Sequence, residues 1–478
     1  MPANYPEIRL LVDGRWIGPA DRRTMPVENP ATRKEIGSVP FATADDLAEA
    51  IAGAERAAAS WAATSPHERA AVIMRAAQLL RDRSEAIGYA MTLENGKPLR
   101  DGVGEAYYTA DLMDFFAAHA SQSYGQVLPT SLTGGRTVLL VEPVGTVAAF
   151  TPWNYPLTVP GRKVGAALAA GCPVILKPAK ETPASALALA EALVDAGLPR
   201  GVLSMVLGDP AMISETLINS PVVRKVSFTG SHPVGCQVAQ QAGAIAKPVM
   251  LELGGHAPVL VFDDVDVEAV ARQALGAKIH NTGQSCGSPN RFYIHEKVYE
   301  RFVETFGALL DAVVVGDGLD PATDMGPLAD ARRYAAMSEF TTDALERGAR
   351  LVTGGTGDDS TGYFYRPTLF ADAPEDSLIM REEPFGPMAA ASSFGDEEEV
   401  LARANGLAYG LGAYLFTKDA DRALRLPRRL DFGMVSVNRF GIGARDTFFG
   451  GRKGSGFGSE GGPEAVAEYQ VRKLVAQA

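Results

Sequence analysis

The sequence predicts an α/β protein built as two doubly wound αβ lobes, and three observations predict it. From about residue 139, short apolar runs alternate with helical stretches, the pattern of βαβ units around a parallel sheet. A second series of the same kind begins at residues 257–262 and runs to about Asn438. The chain has 478 residues with 46% apolar and 21% charged side chains, an ordinary globular balance and, at roughly 150 residues per domain, enough for about three structural units.

The elements follow in order. Residues 8–18 read as a short β-like start. Thr43 can cap a helix that places Leu47, Ile51, Ala54, Ala58 and Trp61 on one face. Asp45 and Asp46 fall in its first turn, where the helix dipole favours negative charge. A second helix is predicted over about 66–95, ended by Asn95-Gly96. Strands are then expected at 144–150, 173–177, 202–207, 223–228 and 248–251, with helices at 161–170 and 184–196 between them. After the strand at 257–262, the acidic Asp263, Asp264, Asp266 and Glu268 start the next helix. The glycine-rich segment 449–462 is too irregular for an element and reads as a functional or docking loop. Two lobes of this kind suit an enzyme with its site between them.

Composition narrows the function classes. Lys and Arg number 45 against 57 Asp and Glu, a net charge of −12. No basic footprint remains for nucleic acid as the main partner. Three cysteines, Cys172, Cys236 and Cys286, make no disulfide framework and point to a reducing compartment. The first ten residues lack the basic and apolar regions of a secretory peptide. The long uncharged stretch 226–246 carries Ser, Thr, His, Gln and a proline, which a bilayer core penalises. A soluble, cytoplasmic protein without a metal site is expected.

Four residues carry candidate chemistry. Cys286 lies in Asn281-Thr-Gly-Gln-Ser-Cys286-Gly-Ser, a small, polar, glycine-flanked stretch that keeps a thiol accessible. A small buried hydrophobe is the alternative there, and it suits Cys172 better. Glu252 ends the apolar strand of Val249-Met-Leu-Glu-Leu-Gly-Gly255, where its pKa would rise toward that of a general base, unless it simply reaches solvent. Asn154, in Phe150-Thr-Pro-Trp-Asn-Tyr-Pro156, is an amide held between two prolines and suited to an oxyanion, or to a turn. Gly230-Ser-His-Pro-Val-Gly235 follows a strand and opens a helix, where backbone can approach a dinucleotide. Lys177, at a strand end, can meet a ribose or phosphate, or solvent alone.

Taken together these segments resemble the aldehyde dehydrogenase superfamily. The matching stretches are Thr-Pro-Trp-Asn-Tyr-Pro, Leu-Lys-Pro-Ala, Phe-Thr-Gly-Ser, Leu-Glu-Leu-Gly-Gly, Asn-Thr-Gly-Gln-Ser-Cys, Glu382-Glu-Pro-Phe-Gly-Pro387 and Phe-Gly-Gly-Arg-Lys-Gly-Ser-Gly456. They occur in family order and spacing along almost the whole chain.

The resemblance implies an aldehyde dehydrogenase-like fold: a Rossmann-like cofactor lobe (1–119 and 143–254), a catalytic lobe (255–450) and a small β oligomerisation arm (120–142 and 451–478). It implies NAD(P)-dependent oxidation of a small-molecule aldehyde by a homodimer or homotetramer. Cys286 would attack the aldehyde, with the oxyanion held by Asn154 and the Cys286 backbone N–H. Glu252 would activate the hydrolytic water, and Glu460 matches a second glutamate credited with proton transfer. Lys177 matches the contact to the adenosine ribose, Glu383 that to the nicotinamide ribose, and Phe385 the aromatic beside it. Thr151, Pro152, Trp153, Ala179, Phe228, Thr229, Gly230, Ser231, Val234, Leu253 and Gly254 match further cofactor positions.

The chain also departs from the family pattern. Many NAD-preferring members carry a glutamate where this chain has Lys180, and a lysine there can attract a 2′-phosphate, so NADP is expected to be at least tolerated. The run Gly161-Arg-Lys-Val-Gly-Ala-Ala-Leu-Ala-Ala-Gly171 is most like the succinate-semialdehyde dehydrogenase group, in which Arg162 falls at an arginine that binds the substrate carboxylate. A second arginine of that group is replaced by His280, a redox-switch cysteine by Ser288, and Arg445 is a candidate substitute arginine. A short semialdehyde is thus the expected substrate, and a general or aromatic aldehyde the alternative. Glu252 counts against a CoA-acylating enzyme, and Cys286 with Asn154 against a non-catalytic binding protein.

Overall fold

A computed structural model describes residues 5–129 and 135–477. Of the expected segments, residues 1–4, 130–134 and 478 lie outside them. Two large sheets dominate. The first has eight strands in the order Arg15–Ile17, Leu10–Val12, Leu203–Met205, Val174–Lys177, Thr146–Phe150, Val223–Thr229, Val249–Glu252 and Gly456–Phe457. Its five central strands, from Leu203–Met205 to Val249–Glu252, run parallel. The second has seven: Arg350–Thr353, Thr368–Ala371, Met388–Phe394, Pro289–His295, Ala257–Val261, Gly412–Phe416 and Met434–Val437. All of these but the antiparallel edge strand Arg350–Thr353 are parallel. Strands such as Val147–Ala149 and Val259–Val261 are wholly buried, as expected where helices cover both faces of a parallel sheet.

Local chemistry sets the elements that frame the site. Thr43 caps the helix Ala44–Ala63 in a reciprocal capping box with Asp46, satisfying two orphan donors. The helix expected over 66–95 is in fact two, Pro66–Asp82 and Ser84–Asn95. Arg83 breaks it at φ −102° and ψ 7°, a conformation outside the helical well. Neither glycine nor proline marks the break. It lets each half lay its apolar stripe on the helix Leu99–His119, which both contact.

The glycine-rich segment also holds more order than expected. Gly456–Phe457 forms an antiparallel edge to Val249–Glu252, pairing Glu252 with Gly456. Gly456 has φ +106°, and a Cβ there would run into the Leu251 carbonyl, so glycine is required for the strand to close.

A separate three-stranded antiparallel sheet is formed by Gln470–Gln477, Arg136–Pro143 and Gln126–Leu128. Only the last part of the expected tail joins it. Residues 452–454 bond to the second lobe at Gly410 O, Ala408 O and Asp431, whereas 456–469 stay with the first, where the helix Gly462–Ala467 packs on Thr158–Ala170. Among the described residues no helix is long and apolar enough to cross a membrane.

Candidate active site

One cleft of about 1410 Å³ lies between the two large sheets, above the roughly 300–1,000 Å³ of a small-molecule pocket and roomy enough for a dinucleotide with a second ligand. The first lobe reaches it from strand carboxyl ends: Thr229 and Glu252 terminate their strands, and Asn154 follows the strand Thr146–Phe150. The second lobe reaches it from segments that precede strands, with Cys286 before Pro289–His295 and Glu383 before Met388–Phe394.

Cys286 leaves a strained turn. Asn281, Thr282 and Gly283 take left-handed φ of 50°, 57° and 68°, rare for any β-branched residue. The turn is pinned from outside: Thr282 Oγ1 donates to Gly326 O at 3.1 Å, and Asn281 Nδ2 to Asn154 O at 2.8 Å. At Gly283 an added Cβ would strike the Gly386 carbonyl. Burial pushes the Cys286 thiol pKa well above its ordinary value, the adjacent Glu252 carboxylate pushes it further, and Arg162 opposes both.

Glu252 lies against that thiol, and its own pKa is raised to about 8, first by burial and then by the nearby charge of Glu460. Glu460 is bound in place by an ion pair with the fully buried Lys163 and by the Thr229 hydroxyl, which donates to it at 2.6 Å. The Asn154 amide Nδ2 donates to Gln284 O at 3.1 Å. Asn154 Oδ1, Glu252 Oε1, Arg162 Nη1 and Arg333 Nε are buried and find no hydrogen-bond partner among the described residues. Uncompensated buried polar atoms of this kind are costly, and their convergence on one cleft marks a place prepared for ligands.

The cofactor side fits a dinucleotide. Gly230 and Ser231 lead into the N-terminus of the helix His232–Gly243, whose free N–H groups suit a pyrophosphate. An added Cβ at Gly254 would run into the Glu383 carboxylate. With glycine there, Glu383 Oε1 accepts the Gly255 N–H at 3.1 Å. Burial raises the Glu383 pKa to about 8. Trp153 and Phe385 meet edge to face with centroids 5.5 Å apart.

Pro152, Trp153, Asn154, Arg162, Thr229, Gly230, Ser231, Glu252, Leu253, Gly254, Cys286, Glu383, Phe385 and Glu460 all line the cleft. Thr151, Ala179 and Phe228 are buried behind that wall, while Lys177, Lys180 and Val234 stand off its lining. Arg445 is placed otherwise than expected: it is exposed, outside the cleft lining, and its guanidinium pairs with Asp111. Arg162 is better placed: it is buried, stacks over Phe449 at 4.2 Å and donates to the Tyr108 hydroxyl at 3.3 Å. His280 stacks on Tyr155 and lies 3.7 Å from Asp101, with its side chain half exposed.

Sequence reading missed Tyr108, Lys163 and Arg333 as parts of this site. Lys163 had a signal, since a lysine inside the apolar run after Arg162 must find a buried partner. Arg333 and Tyr108 sit on helices with no local mark.

Fold and cleft together define an oxidoreductase of the nucleotide-dependent α/β class with a cysteine at its centre. The Aldehyde dehydrogenase family profile matches residues 16–475, and the chain belongs to that family; it acts on aldehydes with NAD or NADP. Succinate-semialdehyde dehydrogenase [NADP(+)] GabD of Escherichia coli (strain K12) is 40% identical over 96% of this chain and 96% of its own. 4-(Hydroxymethyl)benzenesulfonate dehydrogenase TsaD1 of Comamonas testosteroni is 42% identical over 98% and 97%. The crystal structure of succinate-semialdehyde dehydrogenase from Burkholderia pseudomallei superposes with a TM-score of 0.97 at 39% identity, covering 100% of this chain and 99% of that one.

Proposed function

We propose that this protein oxidises an aldehyde with a distal anionic group, succinate semialdehyde being the reference substrate, to the corresponding acid. The observation that carries this is the buried, unpartnered Nη1 of Arg162 in the cleft that holds Cys286. A carboxylate would satisfy it, and a guanidinium pairs carboxylates through two parallel hydrogen bonds.

In this reading Cys286 gives up its proton to Glu252 and its sulfur bonds to the aldehyde carbon. The carbonyl oxygen becomes an oxyanion, held by Asn154 Nδ2 and the Cys286 backbone N–H. Gly230, Gly254, Glu383 and Phe385 would hold a nicotinamide dinucleotide, which would supply the acceptor for the hydride leaving that carbon. Glu252 passes the Cys286 proton to solvent; ionised again, it takes a proton from water, whose oxygen attacks the thioester, and gives that proton to the departing sulfur as the acid leaves, regenerating the thiol. Glu460, paired with Lys163, tunes Glu252 by its charge.

Lys180 supports use of NADP. It lies beside Lys177, whose pKa burial lowers, Glu181 raises and Lys180 lowers further, so Lys180 adds a cation to a region that the Glu181 carboxylate shares. Lys180→Glu should shift preference toward NAD. A wild type that uses NAD more than about a hundredfold better, roughly 2.7 kcal/mol, overturns the role of Lys180. The three free cysteines support a reducing, cytoplasmic setting, and the three-stranded arm supports a homodimer or homotetramer.

An aldehyde panel with both coenzymes, read by reduced-nicotinamide absorbance, tests the substrate. Arg162→Ala should cost ten- to a hundredfold in kcat/KM for semialdehydes, about 1.5–3 kcal/mol, and little for butanal. Better turnover of butanal than of succinate semialdehyde by the wild type overturns the reading. A second reading, an anionic aromatic aldehyde, is favoured by the lining of Tyr108, Tyr155, Tyr414, Phe440 and Phe449; 4-carboxybenzaldehyde in the panel decides between them.

A further inference from the structure

A buried ion pair touches the site without a part in the chemistry above. Lys97 follows the helix Ser84–Asn95, and its Nζ donates to Glu105 Oε2 at 2.6 Å and to the Asn154 backbone carbonyl at 3.0 Å. The two side chains are only 2% and 5% exposed, and the Lys97 ammonium sits 4.9 Å from the centre of the Tyr155 ring. Glu105 turns its other oxygen to the N–H groups of Leu157 and Thr158, both at 3.0 Å. Those N–H groups open the helix Thr158–Ala170, which carries Arg162 and Lys163.

The Asn154 carbonyl therefore takes two donors from two directions. Lys97 reaches it from the first lobe, and Asn281 from the turn ahead of Cys286. With its main chain gripped on both sides, Asn154 presents its side-chain amide, one hydrogen of which goes to Gln284 O at 3.1 Å, from a fixed base. An oxyanion donor works only when it waits about where the charge will form. Stability alone does not explain a buried ion pair, because well-packed apolar side chains of the same volume commonly serve as well.

We propose that Lys97, acting through Glu105 and the Asn154 carbonyl, is a positioning residue that aims the Asn154 amide at the oxyanion. This rests on the oxyanion role of Asn154 proposed above, and the experiment separates the two. The primary variant is Lys97→Met/Glu105→Gln, which removes the pair without stranding a charge; if it does not fold, Lys97→Gln is read by the same criteria. The expected result is a ten- to hundredfold loss of kcat, with aldehyde KM and coenzyme Kd within threefold of wild type.

Alkylation of Cys286 by iodoacetamide should stay within twofold, because displacement of iodide by sulfur forms no oxyanion. In an Asn154→Ala background the same change should cost less than twofold more, since the aimed group is already gone. Wild-type-like kcat, losses that multiply in the combined variant, or alkylation that falls with kcat would each overturn the positioning role. If Asn154→Ala alone leaves kcat unchanged, the oxyanion reading itself fails, whatever Lys97 does.

Discussion

At rest, burial holds both Cys286 and Glu252 back. Burial and the Glu252 carboxylate keep the thiol protonated, while burial and Glu460 lift Glu252 to about 8. Attack needs sulfur without its proton, and water activation needs Glu252 ionised. Both conditions improve as pH rises, so kcat/KM should climb with pH along a limb to which Glu252 contributes near 8 and the thiol, held higher, contributes beyond it. Glu252→Gln should flatten that limb and stall the second half-reaction. Mass spectrometry after mixing the variant with aldehyde and oxidised coenzyme should then find an acyl adduct on Cys286. Steady turnover without adduct would assign water activation to another group, Glu460 first. Cys286→Ala should leave less than roughly a hundredth of wild-type turnover with coenzyme binding retained.

At the scale of the element, the turn Asn281–Gly283 sets where the nucleophile points. Three successive left-handed residues are held in place by bonds to the Gly326 and Asn154 carbonyls and to Gln284. Gly283→Ala adds a Cβ where the Gly386 carbonyl already lies and strains a φ of +68°. It should lower kcat at least about tenfold and cost about 1–3 kcal/mol of stability, read by turnover and by thermal melting; unchanged values for both would remove the turn from the argument. Elements of this kind mark how far the sequence could be read. Wholly apolar runs such as Val147–Ala149 announce strands because both faces are covered, and Thr43 with Asp46 announces a helix start because capping is local. The break at Arg83 and the strand Gly456–Phe457 are set by packing against segments distant in sequence, and no local residue signals them. The site divides in the same way. Cys286, Glu252 and Asn154 lie in short motifs, whereas Arg333 and the Lys97–Glu105 pair become meaningful only once chains far apart in sequence meet.

At the scale of the whole molecule, the sheet of Gln470–Gln477, Arg136–Pro143 and Gln126–Leu128 pairs neither edge strand with another strand among the described residues, and it exposes apolar side chains on both faces. Pairing registers Leu474 opposite Leu139 and Val127 opposite Val138, and strand alternation puts these two pairs on opposite faces. Leu474 is 61% exposed and Val127 66%, with Val471 and Leu140 exposed nearby. Open edges flanked by exposed valine and leucine invite pairing with another chain unless a partner covers them. The proposed oligomer would use this sheet, and burying each such side chain would contribute about 1.5–3 kcal/mol. Leu474→Asp with Val127→Asp replaces that gain by two carboxylates that association must desolvate. Sedimentation velocity should show the double variant at a smaller assembly than wild type at the same micromolar concentration. The cleft lining includes no residue of this sheet, so the dissociated variant should keep its coenzyme Kd. An unchanged sedimentation coefficient would mean that the subunits meet elsewhere.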